Sequence, residues 1–135
     1  MSASCVVDAS VLVAAVADAG PDGTWAESVL AGGALVAPEL VLVEATNILR
    51  RLELAGRLDR LEARSAAADL LAFDLGLQPF EPFASRVWEL RTNLTAYDAW
   101  YVAVAETFDL PLATLDRRLA ASSAARCRFE LPGLA

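Results

Sequence analysis

The sequence contains no histidine and no lysine, and all eleven of its basic residues are arginine. Without histidine, a Ser-His-Asp triad and a histidine-ligated zinc site are excluded. Without lysine, a Walker A phosphate loop and Schiff-base chemistry are excluded as well. Cysteine is scarce: Cys5 and Cys127 lie far apart and fit no metal-binding spacing. Their neighbours are strand-like, which predicts two buried thiols rather than a disulfide. Long apolar runs are also missing. Residues 5–17 are broken by Asp8 and residues 34–43 by Pro38 and Glu39, so both fall short of the ~20 apolar residues of a spanning helix. No basic residue precedes the first apolar run, so the start does not read as a secretory signal. These absences predict a cytoplasmic protein with no membrane partner.

What is present is a chain of 135 residues, 56% hydrophobic, with a net charge of −7. That length predicts one domain over 1–135, able to bury roughly two-thirds of its unfolded surface. A charge of −7 argues against passive, charge-driven binding of nucleic acid. Any polyanionic substrate needs a cation or a local arginine patch.

Apolar runs and turn residues alternate. Strands are expected over 4–7, 34–37, 77–80, 112–114 and near 128–130. Helices are expected over 11–17, 24–31, 39–55, 60–73, 83–92, 96–108 and 117–121. In the longest of these, Val41, Ala45, Ile48, Leu49 and Leu52 recur at helical spacing. Strands alternating with helices predict an α/β fold, a three-layer α/β/α domain around a short parallel sheet.

Four acids occupy unusual positions. Asp8 ends the first strand and Asp116 follows the fourth, and ligands of open α/β sheets bind beyond those ends. Each also suits the simpler role of capping the helix that follows. Glu44 lies inside Leu40-Val41-Leu42-Val43-Glu44-Ala45, where burying an unpaired carboxylate costs several kcal/mol. An ion pair with Arg51, two turns on, is the rival explanation. Asp98 opens an otherwise apolar helix, where the helix dipole alone favours an acid. A parallel sheet can bring all four to one edge. Their repulsion is then relieved by a divalent cation, and oxygen-only ligands select Mg²⁺ or Mn²⁺. Such a site lowers the pKa of a bound water and supports in-line attack on a phosphodiester.

Val6-Val7-Asp8-Ala9-Ser10, then Val43-Glu44-Ala45-Thr46-Asn47, then Tyr97-Asp98-Ala99-Trp100-Tyr101, then Ala113-Thr114-Leu115-Asp116 resemble the successive motifs of PIN domains. Length and helical middle resemble the VapC toxins of bacterial toxin–antitoxin pairs. The resemblance implies a Mg²⁺-dependent endoribonuclease whose catalytic, metal-binding acids are Asp8, Glu44, Asp98 and Asp116. It further implies a cognate antitoxin and a homodimer, with a heterotetramer or larger assembly when the antitoxin is bound. Ser10 and Thr114 match small polar positions beside the first and last acids, suited to bonding a carboxylate or a metal-bound water. Asn47 is expected to face the same cleft. Arg117 and Arg118, with Arg50, Arg51 and Arg91, are candidates for RNA phosphates. The apolar content of 40–73 exceeds what one core face needs, and a dimer or antitoxin surface would use the excess.

Other readings are weaker. A receiver-like signalling domain would need paired acids after the first strand and a lysine. A haloacid-dehalogenase-type phosphatase would need an acid where Ser10 stands. A catalytically silent PIN-fold binding module and a structure-specific DNA nuclease remain as alternatives to the ribonuclease.

Overall fold

The computed structural model describes residues 4–133; the remaining residues of the expected single domain lie outside it. The chain folds as β1 (Cys5–Val7), α1 (Ala9–Ala17), α2 (Pro21–Leu30), β2 (Leu35–Pro38), α3 (Val41–Leu54), α4 (Arg60–Leu70) and β3 (Leu75–Gln78). A 3-10 turn (Glu81–Phe83) then leads into α5 (Ala84–Glu89), α6 (Ala96–Phe108), β4 (Leu112–Ala113), α7 (Arg117–Ala120) and β5 (Phe129–Glu130).

All strand pairs are parallel, and the sheet order is β3-β2-β1-β4-β5. The chain therefore builds outward from β1 through β2 to β3, then crosses back to add β4 on the other side. That reversal makes the carboxyl ends of β1 and β4 the switch point, where open α/β sheets form their crevice.

Burial follows from this order. Every residue of β1 is buried, as a central parallel strand covered on both faces must be. On one side α6 packs on β1, β2 and β4, backed by α5; on the other, α1 gathers α2, α3 and α4. Residues 99–105 of α6 are all buried, which suits a helix that is apolar around its whole circumference. Gly23 lets α2 pass the end of α1, because a Cβ there would lie 1.8 Å from the Asp18 carbonyl oxygen.

Helix boundaries obey local chemistry. Asp59 and Glu62 form a reciprocal capping box on α4, and Thr95 caps α6. Asp109, at φ 51°, ends α6 in the left-handed conformation. Arg86 forks onto Glu106 at 2.7 and 3.1 Å and also reaches the Ala124 carbonyl at 3.2 Å. This partly buried pair fastens the segment before β5 to α5 and α6.

Some elements depart from the expected boundaries. β3 begins at Leu75 rather than at residue 77, because pairing with β2 sets its register: Leu35 faces Leu75 and Pro38 faces Gln78. Pro38 closes β2 instead of standing outside it. α4 ends at Leu70, where turn bonds from Leu71 to Ala68 and Ala72 to Asp69 tighten the chain. α5 is shorter than expected and is preceded by the 3-10 turn that holds Pro82. Both cysteines are free thiols; Cys5 is buried, and Cys127 is half-buried rather than fully enclosed. Among the described residues, no helix is long and apolar enough to cross a membrane.

Candidate acidic active site

Asp8 stands where β1 gives way to α1, with extended backbone and a side chain that caps the helix. Its Oδ1 accepts the backbone N–H of Ser10 at 2.9 Å and of Val11 at 3.3 Å, together with the Ser10 hydroxyl. Its Oδ2 accepts the Thr114 hydroxyl. Ser10 Oγ also accepts the Leu115 N–H at 3.2 Å, and Thr114 Oγ1 accepts the Asp116 N–H at 2.9 Å. Each hydroxyl has one proton. Since a backbone donor points at its oxygen, that proton is left for Asp8. The ends of β1 and β4 are thereby joined through one carboxylate. Burial pushes the Asp8 carboxyl above its usual range, and the Ser10, Thr114 and Val11 bonds oppose the rise without cancelling it.

Glu44 lies in the first turn of α3 and is half-buried. Its Oε1 accepts the Tyr101 hydroxyl at 2.7 Å. The proposed ion pair with Arg51 is not formed; the ion pairs among the described residues are Arg86–Glu89, Arg86–Glu106 and Arg128–Asp109. Burial raises the Glu44 carboxyl, Tyr101 lowers it in part, and the charges of Asp8 and Asp98 raise it further.

Asp98 lies half-buried in the first turn of α6, its N–H bonded to Thr95 Oγ1 at 3.2 Å. Burial raises its carboxyl and Asp116 raises it again, while Thr95 and Arg118 pull the other way. Asp116 is exposed and caps α7 through Oδ1, at 3.0 Å from the Arg118 N–H and 3.1 Å from the Leu119 N–H. The fold thus gathers the four acids from four different elements into one run of mutually repelling charges.

Of the expected companions, Ser10 and Thr114 hydrogen-bond Asp8, while Asn47 and the Arg117 side chain form no hydrogen bond with the four acids. Asn47 is exposed and lines a shallow depression with Leu42, Val43, Thr46 and Arg50. Arg117 is exposed and donates to the Pro132 carbonyl at 3.0 Å. The residue that pattern reading missed is Tyr101. A phenol within a buried apolar helix needs a partner, and Asp98 stands three residues before it; that was the available signal. The Tyr101 hydroxyl is held far above its ordinary range by burial and then by Glu44, so it stays a donor. Beside Ser10 and Leu115 a cavity of about 420 Å³ opens between α1 and α3, walled by Val13, Ile48, Leu52 and Arg57.

The chemistry of the donor set fits a hard divalent cation: four carboxylates, with no imidazole or thiol among them. Among the described residues no group of three or more histidine, cysteine or acidic side chains already stands arranged to hold an ion. A cation would therefore have to draw the outer acids toward Asp8, which is the fixed post. Oδ1 of Asp8 is filled by three donors and Oδ2 by one, so Oδ2 is the oxygen with capacity to spare.

Thr114 is fully buried. Thr114→Val keeps its shape but strands the Asp116 N–H and one Asp8 oxygen. A loss of about 1–3 kcal/mol is expected in metal-free urea unfolding. An unchanged unfolding midpoint would mean that the hydroxyl link between β1 and β4 does not contribute.

Comparison with known proteins places this geometry. The PIN domain family matches residues 5–124. Ribonuclease VapC1 of Mycobacterium tuberculosis is 38% identical over 129 residues, covering 94% of this chain and 96% of its own. The crystal structure of PAE2754 from Pyrobaculum aerophilum has a TM-score of 0.69 at 28% identity, covering 94% of this chain and 83% of that one. VapC20 of Mycobacterium tuberculosis, described as a toxin cleaving the sarcin–ricin loop, has a TM-score of 0.66 at 20% identity, covering 92% and 98%. At that identity the likeness is one of fold alone.

Proposed function

Because the chain belongs to the PIN-domain family, we propose that it is a Mg²⁺-dependent endoribonuclease, with Mn²⁺ as a substitute, and the toxin of a toxin–antitoxin pair. One observation carries the reading. At the switch point of the sheet, Asp8 is buried and pinned by Ser10 and Thr114, Glu44 feels the charges of Asp8 and Asp98, and Asp98 feels that of Asp116. Acids kept close together, one buried and two half-buried, without a matching cation are unfavourable for folding. Their presence suits a ligand more than a scaffold.

In this reading Asp8, Glu44, Asp98 and Asp116 would hold the cation, which would supply positive charge beside the phosphodiester and lower the pKa of a water. Asp8 fixes the position, because the ends of two strands and a helix define its carboxylate. Tyr101 occupies Glu44 Oε1 and leaves Oε2 to take a ligand or a water proton. Asp116 keeps Oδ1 on the α7 cap and offers Oδ2. Arg118, close enough to Asp98 to lower its carboxyl pKa, is placed to meet a phosphate.

The antitoxin belongs to the same reading. Leu54, Leu61 and Leu71, on and beside α3 and α4, are each more than 70% exposed. Such surface suits a protein partner. A homodimer, a heterotetramer or larger assembly with antitoxin, and a cytoplasmic setting complete it. The kinship with a protein named as a ribonuclease supports RNA over DNA. A catalytically silent binding module is the second reading, favoured by acids that do not yet converge on one point.

The test is cleavage of structured and unstructured RNA by the purified protein in Mg²⁺ or EDTA, beside Asp98→Asn. Cutting is expected only for the wild type with Mg²⁺. Equal cutting in EDTA, or by the variant, sinks the metal-site assignment. Absence of Mg²⁺ binding transfers the protein to the silent-module reading.

A further inference from the structure

Of the four acids, Glu44 has the longest side chain and is held by a single hydrogen bond. Asp8 accepts four hydrogen bonds, and Asp116 accepts two from the α7 backbone. Glu44 accepts one, from a residue 57 positions away on another helix. The donor is Tyr101, only 3% exposed and set in the most buried stretch of α6. α6 packs on β1, the strand that ends at Asp8. A single hydroxyl therefore relates the Glu44 carboxylate to the Asp8 corner.

We infer that Tyr101 is a positioning residue: its hydroxyl holds Glu44 at a fixed place relative to Asp8 and thereby sets the affinity of the site for a divalent cation. A phenylalanine would fill the same space in α6, so packing alone gives no reason for the hydroxyl. Glu44 has several free torsions, and a cation that must immobilise it binds more weakly than one that finds it in place. Partners that orient metal ligands characteristically change metal affinity 10–100-fold when removed.

The inference rests on the acidic site being a metal centre, and the test separates the two. Mg²⁺ binding is measured by calorimetry, without RNA, on the wild type, Tyr101→Phe, Glu44→Gln and the double variant. Tyr101→Phe should weaken Mg²⁺ binding about tenfold or more. In the Glu44→Gln background the same change should have no further effect, because Tyr101 acts through Glu44. If the wild type binds no Mg²⁺, the metal-centre reading fails and this inference with it. If the wild type binds and Glu44→Gln is impaired while Tyr101→Phe matches or exceeds the wild type, only the inference is overturned.

A second measurement does not depend on that variant folding. The chain has two tyrosines. Biosynthetic 3-fluorotyrosine in Tyr97→Phe, a change at an exposed position, reports on Tyr101 alone. Its ¹⁹F resonance should move with added Mg²⁺ at the midpoint seen by calorimetry, and should stay fixed in Glu44→Gln. A resonance that ignores bound Mg²⁺ overturns the inference.

Discussion

Asp8→Ala should abolish RNA cleavage and destabilise the domain by about 2–4 kcal/mol relative to Asp8→Asn, which should abolish cleavage while keeping the α1 cap. The two variants share one effect: each removes a buried negative charge that the fold pushes toward its neutral form. Their difference isolates the hydrogen bonds. In the asparagine variant Oδ1 still accepts Ser10 and Val11, so α1 keeps its cap, while the amide nitrogen faces Thr114 Oγ1 as a donor and leaves the Thr114 proton without an acceptor. In the alanine variant the cap is lost, at about 1 kcal/mol. The Ser10 hydroxyl also loses the acceptor its proton needs, a further cost of about 1–3 kcal/mol, whereas the Thr114 proton is stranded in both variants and does not separate them. Activity disappears in both, because a neutral amide cannot balance a divalent cation. Urea unfolding in EDTA and an RNA cleavage assay read the two effects separately. Equal stability of the two variants would show that Asp8 serves the cation alone and holds nothing together.

That double duty explains why Asp8 was legible in the sequence without being decisive. An acid after a strand and before a helix reads equally well as a cap or as a ligand, and it is a cap here in full. Asp116 is the same case one strand over. Glu44 and Asp98 carried more information, because local structure does not require an acid inside Leu40–Ala45 or ahead of Ala99–Ala105. The α6 boundaries were readable to the residue, since a Thr95 cap and a left-handed Asp109 are both local devices. β3 was not, because a half-exposed edge strand takes its register from β2, which is a tertiary decision. The same limit applies to the site. Asn47 follows Glu44 by three residues, yet its position on α3 leaves it exposed beside Arg50. Arg117 adjoins Asp116 in sequence and bonds the chain near Pro132 instead. Tyr101 shows the converse: its partner is 57 residues away, a distance that no periodicity encodes.

Asp98→Asn should be more stable than the wild type in EDTA at neutral pH and less stable than it in Mg²⁺, so that the two thermal transitions exchange order. Burial and the charge of Asp116 raise the Asp98 carboxyl in the folded state above its ordinary value of 3.8. The sign follows from proton binding. Below that ordinary value both states are protonated, and the wild type has its full stability. As pH rises, the unfolded chain releases the proton first, so stability falls until pH passes the raised folded value. At neutral pH the metal-free wild type carries the whole deficit, while asparagine does not titrate. Asparagine also removes one of the charges that raise Glu44, which adds to the gain. The melting difference in EDTA should therefore be several degrees at pH 7 and shrink toward zero at about pH 3, near the ordinary carboxylate range. Mg²⁺ then stabilises the wild type in proportion to its occupancy, and the variant far less. Thermal melts at the two pH values, with and without Mg²⁺, measure all four corners. A variant that melts below the wild type in EDTA at pH 7 would mean that Asp98 is held by favourable local bonds and is not strained by its neighbours. Identical gains from Mg²⁺ in both proteins would remove Asp98 from the metal site.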